Sequence, residues 1–470
     1  MKWLGVLLLT QLSSLSAAVY QSQQARGDVA IVPFFSVLNQ SETHLRLQNS
    51  SGSYKAIKLV IRETLKGDSL WALNLYLNPH SESRLHLKQS SGFLPIEINT
   101  DATTCVMGLD SPNETAFNYT EDNWSNGFIE LFDMGQIDAI DLNLTNQEDL
   151  LDCSKINAAW LNNGLWSQSP DQGLTAASGD LSVISEIHHP SKAMIMPVPV
   201  TYFLGFYEDQ TIHHHPPGMA YPDLNSGSKE SLIINEGEII QTTWEHGFEA
   251  VSAVITGQQF EFDFNSLLVL SYPQHMNWAV TFPTLRFYLN ELSSPTPFIA
   301  SETHSGAVLF PDYLTSSMNF YNNEGGSLWR PLCIPLLPCS GQMDHDTDIV
   351  KHSVNIYSLD FYAPDAISNK PLFNEINQDN YFSLPMNNFS LSGDGYKFIL
   401  RPADNYRAGY DFARVNTRGL SSETNSPQSY YGLPLIGFSW HFSDYFQQYS
   451  RNPAYLLTST PFERIRYIQH

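Results

Sequence analysis

The sequence predicts an all-β protein made of two antiparallel sandwich-like domains, or three if the second divides, with one short helix appended to the first. Two observations support this prediction. Apolar and polar residues alternate with period 2 in short runs, and Asn-, Ser-, Gly- and Pro-rich turns separate those runs. Gly and Pro each occur 27 times in 470 residues, which suits a chain with many turns.

The first half of the chain contains the runs that define the first predicted sandwich. Residues 44–48 and 56–62 alternate in the manner of half-buried strands. The predicted strands of this half are 29–38, 44–48, 56–62, 70–77, 84–87, 95–98 and 127–132.

One helix is predicted in this half. Thr145 to Glu148 fits a capping box, apolar residues follow at helical spacing, and Gly164 is placed to end the helix. Cys153 lies on this predicted helix.

Residues 167–180 are small, polar and turn-prone, and they predict a domain boundary. The expected division is therefore 19–168 for the first domain and 169–470 for the second, with a subdivision of the second near 340–350. β-type runs continue in the second domain. They are 193–206, 231–234, 250–255, 260–264, 267–272, 278–289, 307–310, 354–361, 396–400 and 433–440.

Residues 1–18 have the pattern of a secretory signal peptide. Lys2 supplies a positive charge before a short apolar segment, and residues 16–18 are small residues suited to cleavage. The pattern predicts an exported protein of the periplasm, cell surface or medium, with a mature chain that starts at Val19. No later segment reaches the ~20 apolar residues of a membrane span, so no span is expected after cleavage.

The charge balance excludes one class of partner. The chain has 48 Asp and Glu against 24 Lys and Arg, a net charge of −24. A chain this acidic is repelled by phosphate backbones, so nucleic acid is not expected as a partner.

The four cysteines are expected to form disulfides, because an exported protein folds in an oxidising compartment. Three connectivities are open for four cysteines. Proximity along the chain favours Cys105 with Cys153 and Cys333 with Cys339.

Four short apolar segments stand in order along the mature chain, at 32–37, 249–255, 278–284 and 432–438. In these segments the chain resembles a family of exported bacterial β-rich proteins that is uncharacterised and sometimes labelled as cell-surface proteins. The resemblance implies export and a β-rich fold, and it carries no catalytic residue.

No catalytic residue is predicted. Gly67 to Leu70 spells the tetrapeptide of a serine hydrolase family, but no His in the chain has an Asp three residues before it to complete the site. The stretch 66–69 is better explained as a hairpin turn between two alternating runs. A glycan-acting hydrolase is kept as an alternative, because its two carboxylates can be far apart in sequence.

Histidine-rich loops are the main candidates for a metal site. His188, His213, His215 and His246 are the candidate ligands for zinc or copper, since imidazole suits both ions. The competing interpretation is a solvated His-rich loop. No cofactor is expected, and a periplasmic metal-binding protein is kept as an alternative.

An acidic segment in the second half of the chain is a candidate calcium site. Asp344, Asp346 and Asp348 alternate as in a calcium loop, although the Gly and Glu that an EF-hand requires are missing. The same region allows a zinc site made by the second cysteine pair with His345 and His352, but its gaps are longer than usual. An exposed acidic turn is the default interpretation.

Aromatic residues near the end of the chain suggest a sugar-binding platform. Tyr430, Tyr431 and Trp440 are the candidates, and the alternative is that they fill a core. Taken together, the sequence predicts an exported, non-catalytic structural or binding protein whose surface or periplasmic ligand is a glycan or a protein.

Overall fold

The structure is a computed structural model that describes residues 18–288 and separate segments after residue 288. Within 18–288 it leaves out 91–95, 102–103, 114–123, 191–193, 209–211, 236, 258 and 265–273. The described chain is mostly antiparallel β-sheet with few helices, which confirms the predicted all-β, sandwich-like fold class.

The described strands and helices are named in chain order. Up to residue 204 they are β1 (Tyr20–Gln21), β2 (Val29–Ser36), a 3-10 turn (Leu38–Gln40), β3 (Glu42–Asn49), β4 (Tyr54–Glu63), β5 (Ser69–Leu77), β6 (Ser81–Gln89), β7 (Ile96–Thr100), β8 (Cys105–Met107), β9 (Asn126–Ile137), α1 (Cys153–Trp160), α2 (Leu165–Gln168), β10 (Leu174–Thr175), β11 (Ser182–His189), β12 (Met194–Val198) and β13 (Thr201–Leu204). After residue 204 they are β14 (Glu230–Asn235), β15 (Glu238–Thr243), α3 (Gly247–Ile255), β16 (Thr256–Gly257), β17 (Gln259–Phe264), β18 (Gln274–Thr281), α4 (Leu285–Tyr288), β19 (Thr315–Asn322), β20 (Thr347–Asp348), β21 (Val354–Phe361), β22 (Tyr381–Leu384), β23 (Tyr396–Arg401), β24 (Leu420–Ser421), β25 (Ser429–Tyr431), β26 (Leu433–Pro434), β27 (Ile436–Ser443), β28 (Leu456–Pro461), β29 (Glu463–Ile465) and β30 (Tyr467–Gln469).

Two sheets form the first part of the molecule. One has the order β1-β13-β2-β9-β4-β5-β8, with β10 added beside β9, and the other has the order β12-β11-β3-β6-β7. Leu45 and Leu87 from the five-stranded sheet and Ile57 and Leu73 from the larger sheet belong to one buried cluster. The two sheets therefore enclose a common apolar core, as a sandwich does.

The two sheets differ in how their second faces are used. Burial alternates along β3 and β11, so the five-stranded sheet turns one side to the core and one side outward. β4 is buried along its whole length, although its sequence alternates. The second face of the larger sheet is covered by a second apolar cluster, which includes Tyr76, Ile156 and Trp166.

The sheets continue past the predicted boundary at residue 168. β11 pairs with β3, and β13 pairs with β2, so strands up to Leu204 belong to the first two sheets. The division of the chain into domains, including the subdivision near 340–350, stays a prediction.

The Cys105–Cys153 disulfide is present, which confirms the predicted pairing. It joins β8 of the larger sheet to the first residue of α1. The indole of Trp160, in the last turn of α1, also donates a hydrogen bond of 2.7 Å to the Tyr76 hydroxyl in β5. The helix is thus fastened to the sheet at both ends. Cys333 and Cys339 lie outside the described residues.

The start of α1 differs from the prediction. The Asn146 side chain accepts hydrogen bonds from the backbone N–H groups of Glu148 and Leu150, which makes a turn where the capping box was expected. The helix begins at Cys153 instead, with Asp152 as the N-cap that accepts from the N–H of Ser154.

The prediction of a strand at 250–255 was wrong, because these residues lie in α3. Glu249 accepts a hydrogen bond from the backbone N–H of His246 and so caps the helix. Every residue of α3 is buried, and periodicity alone does not distinguish such a short, mostly apolar run from a buried strand. The predicted strand 278–289 is also divided, into the end of β18 and α4.

The turn that contains the hydrolase-like tetrapeptide is a hairpin connection, as predicted. β4 pairs with β5, and Gly67 in the turn has a φ of 77°, which favours glycine. The Glu63 carboxylate accepts from the N–H groups of Leu65, Lys66 and Asp68 and holds the turn in place.

The later strands form further sheets, among them β20-β19-β23-β17-β29 and β22-β21-β18-β27-β28. The second of these meets the first part of the molecule. Phe34 of β2 stacks on Trp440 of β27 at 6.0 Å between ring centroids, and the Thr281 hydroxyl donates 2.5 Å to the Pro33 carbonyl. Among the described residues, no helix is both long enough and apolar enough to cross a membrane.

Breaking the disulfide should destabilise the protein. The bond closes a loop with a sequence separation of 48, and a loop of that length is worth about 4 kcal/mol of unfolding free energy in the chain-entropy account. We expect the Cys105→Ser/Cys153→Ser variant to lose about this much, and each single variant to lose a similar amount. Urea unfolding followed by tryptophan fluorescence measures it, and an unchanged unfolding midpoint in the double variant would contradict it.

The corrected helix start is testable with two carboxylates. Asp152→Ala removes the N-cap and should lower the urea midpoint, because an N–H at the helix start loses its acceptor. Glu148→Ala is the matched control, since its side chain is exposed in the preceding turn and should leave the midpoint unchanged. A lower urea midpoint for Glu148→Ala and an unchanged midpoint for Asp152→Ala would instead support the predicted capping box.

Candidate functional site

Three histidines lie side by side on the outward face of the five-stranded sheet. His44 in β3 pairs directly with His86 in β6, and His188 comes from the neighbouring strand β11. The ring centroids of His44 and His86 are 4.1 Å apart, and those of His44 and His188 are 3.8 Å apart with planes within 12°. We call these three residues the histidine row.

Two carboxylates orient two members of the histidine row. Glu42 Oε2 lies 3.2 Å from His44 Nε2, and Glu186 Oε2 lies 3.0 Å from His188 Nε2. A carboxylate only accepts hydrogen bonds, so Nε2 carries the hydrogen in both rings and Nδ1 of the neutral ring keeps its lone pair. Burial, with the neighbouring His188 and His86, lowers the pKa of His44 from its ordinary value, while Glu42 acts in the opposite direction.

His214 is buried in a hydrogen-bonded network behind the larger sheet. Its Nδ1 donates 2.6 Å to the Pro170 carbonyl, so its Nε2 accepts from the Tyr76 hydroxyl at 3.0 Å. That hydroxyl also accepts from the Trp160 indole and from Asn74. Burial lowers the pKa of His214 to about 3, which keeps the ring neutral.

His213 and His215, the predicted ligands on either side of His214, contact aromatic rings. His213 stacks on Tyr207 at 4.8 Å, and His215 meets Tyr221 edge-on at 4.4 Å. Their own ring centroids are 6.3 Å apart. Burial, with His215 nearby, lowers the pKa of His213 to about 4.

The loop that carries these histidines is tied to the sheet by Lys58. The buried ammonium donates 2.8 Å to the Pro216 carbonyl and 3.0 Å to the Met219 carbonyl, and Asn74 donates 2.9 Å to the His215 carbonyl. Burial lowers the pKa of Lys58 to about 7. Lysine and asparagine here shape the loop by binding its backbone.

The remaining predicted ligands lie elsewhere. His246 precedes α3 and stacks on Phe248 at 5.3 Å between ring centroids. Asp348 belongs to β20, while Asp344 and Asp346 lie outside the described residues. The calcium hypothesis stays a prediction.

The aromatic platform does not form as expected. Tyr430 and Trp440 are each 1% exposed, so neither ring face is open to a sugar. The Tyr430 hydroxyl bonds to the Thr242 hydroxyl at 2.6 Å, and Trp440 packs on Phe34. These residues fill the core, which was the alternative. Tyr431 is placed in β25, and its side chain is not described.

A buried lysine of β4 gathers acidic groups from distant parts of the chain. Lys55 Nζ donates to Asp133 Oδ2 at 3.0 Å, to Ser178 Oγ at 2.9 Å and to Asp180 Oδ1. Although a serine beside a lysine resembles a hydrolase pair, all three hydrogens of this ammonium are used and no lone pair remains to act as a base. Burial raises the pKa of nearby Asp28 to about 6.

A second buried network joins β4, β9 and α4. Glu130 is fully buried and accepts from Arg62 Nε at 2.6 Å and from Arg286 Nη1 at 2.8 Å. Arg62 also donates 3.0 Å to the Gly67 carbonyl in the hairpin turn. Burial lowers the pKa of Arg286 to about 10, a value at which the group is still charged at neutral pH.

Comparison with protein-family models, curated proteins and solved structures finds no match for this chain. In the conformation of the described residues, no three His, Cys, Asp or Glu side chains are arranged to hold one metal ion. His188 lies in β11, His213 and His215 lie in the loop after β13, and His246 lies before α3, and metal binding by these histidines stays a prediction.

Sequence reasoning missed His44 and His86. Each is the only histidine in its alternating run, and each occupies one of the alternate positions that face outward from its strand. Period-2 alternation indicated that both face the same way as other polar residues. The pairing of His44 with His86, and the position of His188 beside them, depends on strand register, which the runs do not specify.

The buried His214 should make stability depend on pH. Its pKa is about 3 in the folded chain and about 6.5 when unfolded, so the unfolded state binds one more proton between these values. Stability due to this group is complete above about pH 6.5 and is lost as the pH falls. We expect His214→Gln to reduce the slope of unfolding free energy against pH by about 1.4 kcal/mol per unit near pH 5.

Urea unfolding at a series of pH values measures this slope. His80→Gln is the matched control, because His80 is exposed in a turn and its replacement should leave the slope unchanged. A His214→Gln slope equal to that of the original chain would show that this ring does not stay neutral in the fold.

Proposed function

We propose that this protein is an exported, non-catalytic structural or binding protein of the periplasm or cell surface, and that the outward face of the five-stranded sheet is its contact surface. The ligand is a glycan or a protein. The signal-like residues 1–18 and the family resemblance support export, and the Cys105–Cys153 bond is compatible with it.

The non-catalytic part of the proposal rests on the buried ionisable groups, whose hydrogen bonds all go to other parts of the chain in the contacts described above. Lys55 donates to three oxygens, Glu130 lies between two arginines, and Lys58 is bound to backbone carbonyls. A catalytic acid or base needs a proton or lone pair that can reach a substrate. These groups instead hold segments of the chain together.

The outward face of the five-stranded sheet supports the binding part. It carries charged, imidazole and apolar side chains on neighbouring strands, with Arg84 60% exposed and Ile195 53% exposed. Its ion pairs are partly exposed to solvent, as is the pair of Arg84 Nε with Glu82 Oε1 at 2.8 Å. A broad face that mixes charge with apolar contact is suited to a macromolecular partner.

Photo-crosslinking in the native cell tests both parts. A photoreactive amino acid at Arg84 lies on the proposed face, and one at Leu161, which is 58% exposed beyond the end of α1, is the matched control. We expect the protein in the envelope or medium, with a mature chain that starts at Val19. We expect the Arg84 probe, and not the Leu161 probe, to form one defined adduct.

Two results would contradict the proposed function. A chain that keeps residues 1–18 and stays in the cytosol would remove export. Adducts of equal yield and identity from both probe positions would show that the sheet face is not a specific contact surface.

A further inference from the structure

We propose that the histidine row, His44, His86 and His188, binds one divalent first-row transition-metal ion, with Cu²⁺ held more tightly than Zn²⁺. This proposal does not depend on the proposed function. The site differs from the predicted loop site, because it takes two histidines that the loop hypothesis did not include.

The spacing of the three rings is set by strand pairing. Side chains opposite each other on paired strands have Cβ atoms about 4.5–5.5 Å apart, and His44 and His86 occupy such a pair. Their ring planes are inclined by 37°, and the centroids are 4.1 Å apart. Two nitrogens from rings this close are within reach of one ion at about 2.0–2.1 Å from each.

The carboxylates prepare two of the rings as ligands. Metal-bound histidines usually donate their other ring N–H to a carboxylate or carbonyl, which fixes the tautomer and strengthens the ligand. Glu42 and Glu186 already accept from Nε2 of His44 and His188. The Nδ1 lone pairs of these two rings are thereby left for an ion.

The rings must turn before they hold an ion together. His44 and His188 are stacked within 12°, so their in-plane lone pairs point along nearly parallel planes. This stacking explains why the described conformation does not itself present a three-ligand site. Binding therefore requires rotation about the Cβ–Cγ bonds, with the flexible Glu42 and Glu186 side chains following Nε2. The partial exposure of the side chains, 19% for His44 and 26% for His188, leaves space for this movement.

The electrostatic surroundings are compatible with a cation. Of the three basic side chains near the histidine row, Arg46 adds a positive charge in β3, and Arg84 and Lys88 are each paired with an acid. Arg84 lies 2.8 Å from Glu82, and Lys88 lies 3.4 Å from Glu97. Glu42 and Glu186 add negative charge beside the rings, and the whole chain carries a net charge of −24.

The preference for copper follows from the ligand type. Imidazole nitrogen suits both Cu²⁺ and Zn²⁺, and Cu²⁺ binds a given set of nitrogen ligands more tightly in the Irving–Williams order. Three imidazoles from three adjacent strands supply the three protein ligands that open metal sites commonly use.

The test is titration of the purified full-length or naturally processed chain with Cu²⁺ and, separately, with Zn²⁺, by calorimetry against a competing chelator. We expect one ion per chain at the histidine row, and nitrogen hyperfine splitting in the electron paramagnetic resonance spectrum of the Cu²⁺ form. His86→Ala should weaken binding at least tenfold, and Glu186→Gln should weaken it about tenfold through loss of the carboxylate partner.

The matched controls are His80→Ala, an exposed histidine in a turn, and the double variant His213→Ala/His215→Ala. Both should retain the affinity of the original chain. Near-ultraviolet circular dichroism checks that each variant keeps its fold. Unchanged affinity in a folded His44→Ala/His86→Ala/His188→Ala variant, or loss of binding in the folded His213→Ala/His215→Ala variant, would overturn the proposal.

Discussion

The burial of three cationic side chains on a single strand constrains much of this structure. β4 is buried from end to end and contains Lys55, Lys58 and Arg62, each of which needs partners in place of water. Its partners come from β9, from the segment before β11 and from the loop near residue 216. Removing one partner of a buried ion pair typically costs about 3–5 kcal/mol, so these segments are held against the sheet by electrostatics as well as by packing.

This constraint changes how the chemically suggestive residues are interpreted. Ser178 beside Lys55, Lys58 with a pKa lowered by burial, and His214 with Tyr76 each resemble part of a catalytic centre when considered alone. In the fold, each bonds a covering segment to the larger sheet. The outward face of the five-stranded sheet has no covering layer of this kind among the described residues, and it is there that imidazole and carboxylate groups remain available to solvent.

The sequence was sufficient for the features that depend on local pattern. Alternation along β3 and β6 indicated half-buried strands, and proximity along the chain indicated the Cys105–Cys153 bond, whereas β11 was not predicted. It was insufficient where a second layer decides the outcome. β4 alternates over part of its length, yet a covering cluster buries its second face, and the short, mostly apolar run of α3 is equally typical of a buried strand. Alternation shows which side chains share a face, and it does not show whether that face meets water.

The histidine row depends on the same core that stabilises the sandwich. Leu45 and Leu87 point inward from β3 and β6, and the side chains next to them in sequence, His44 and His86, point outward. A shift of one residue in either strand would turn its leucines outward and its histidine inward, which the apolar core strongly opposes. The strand positions of the three histidines are therefore fixed by burial on the opposite side of the sheet, while contacts on the outward face, such as that of Glu42 with His44, orient the rings.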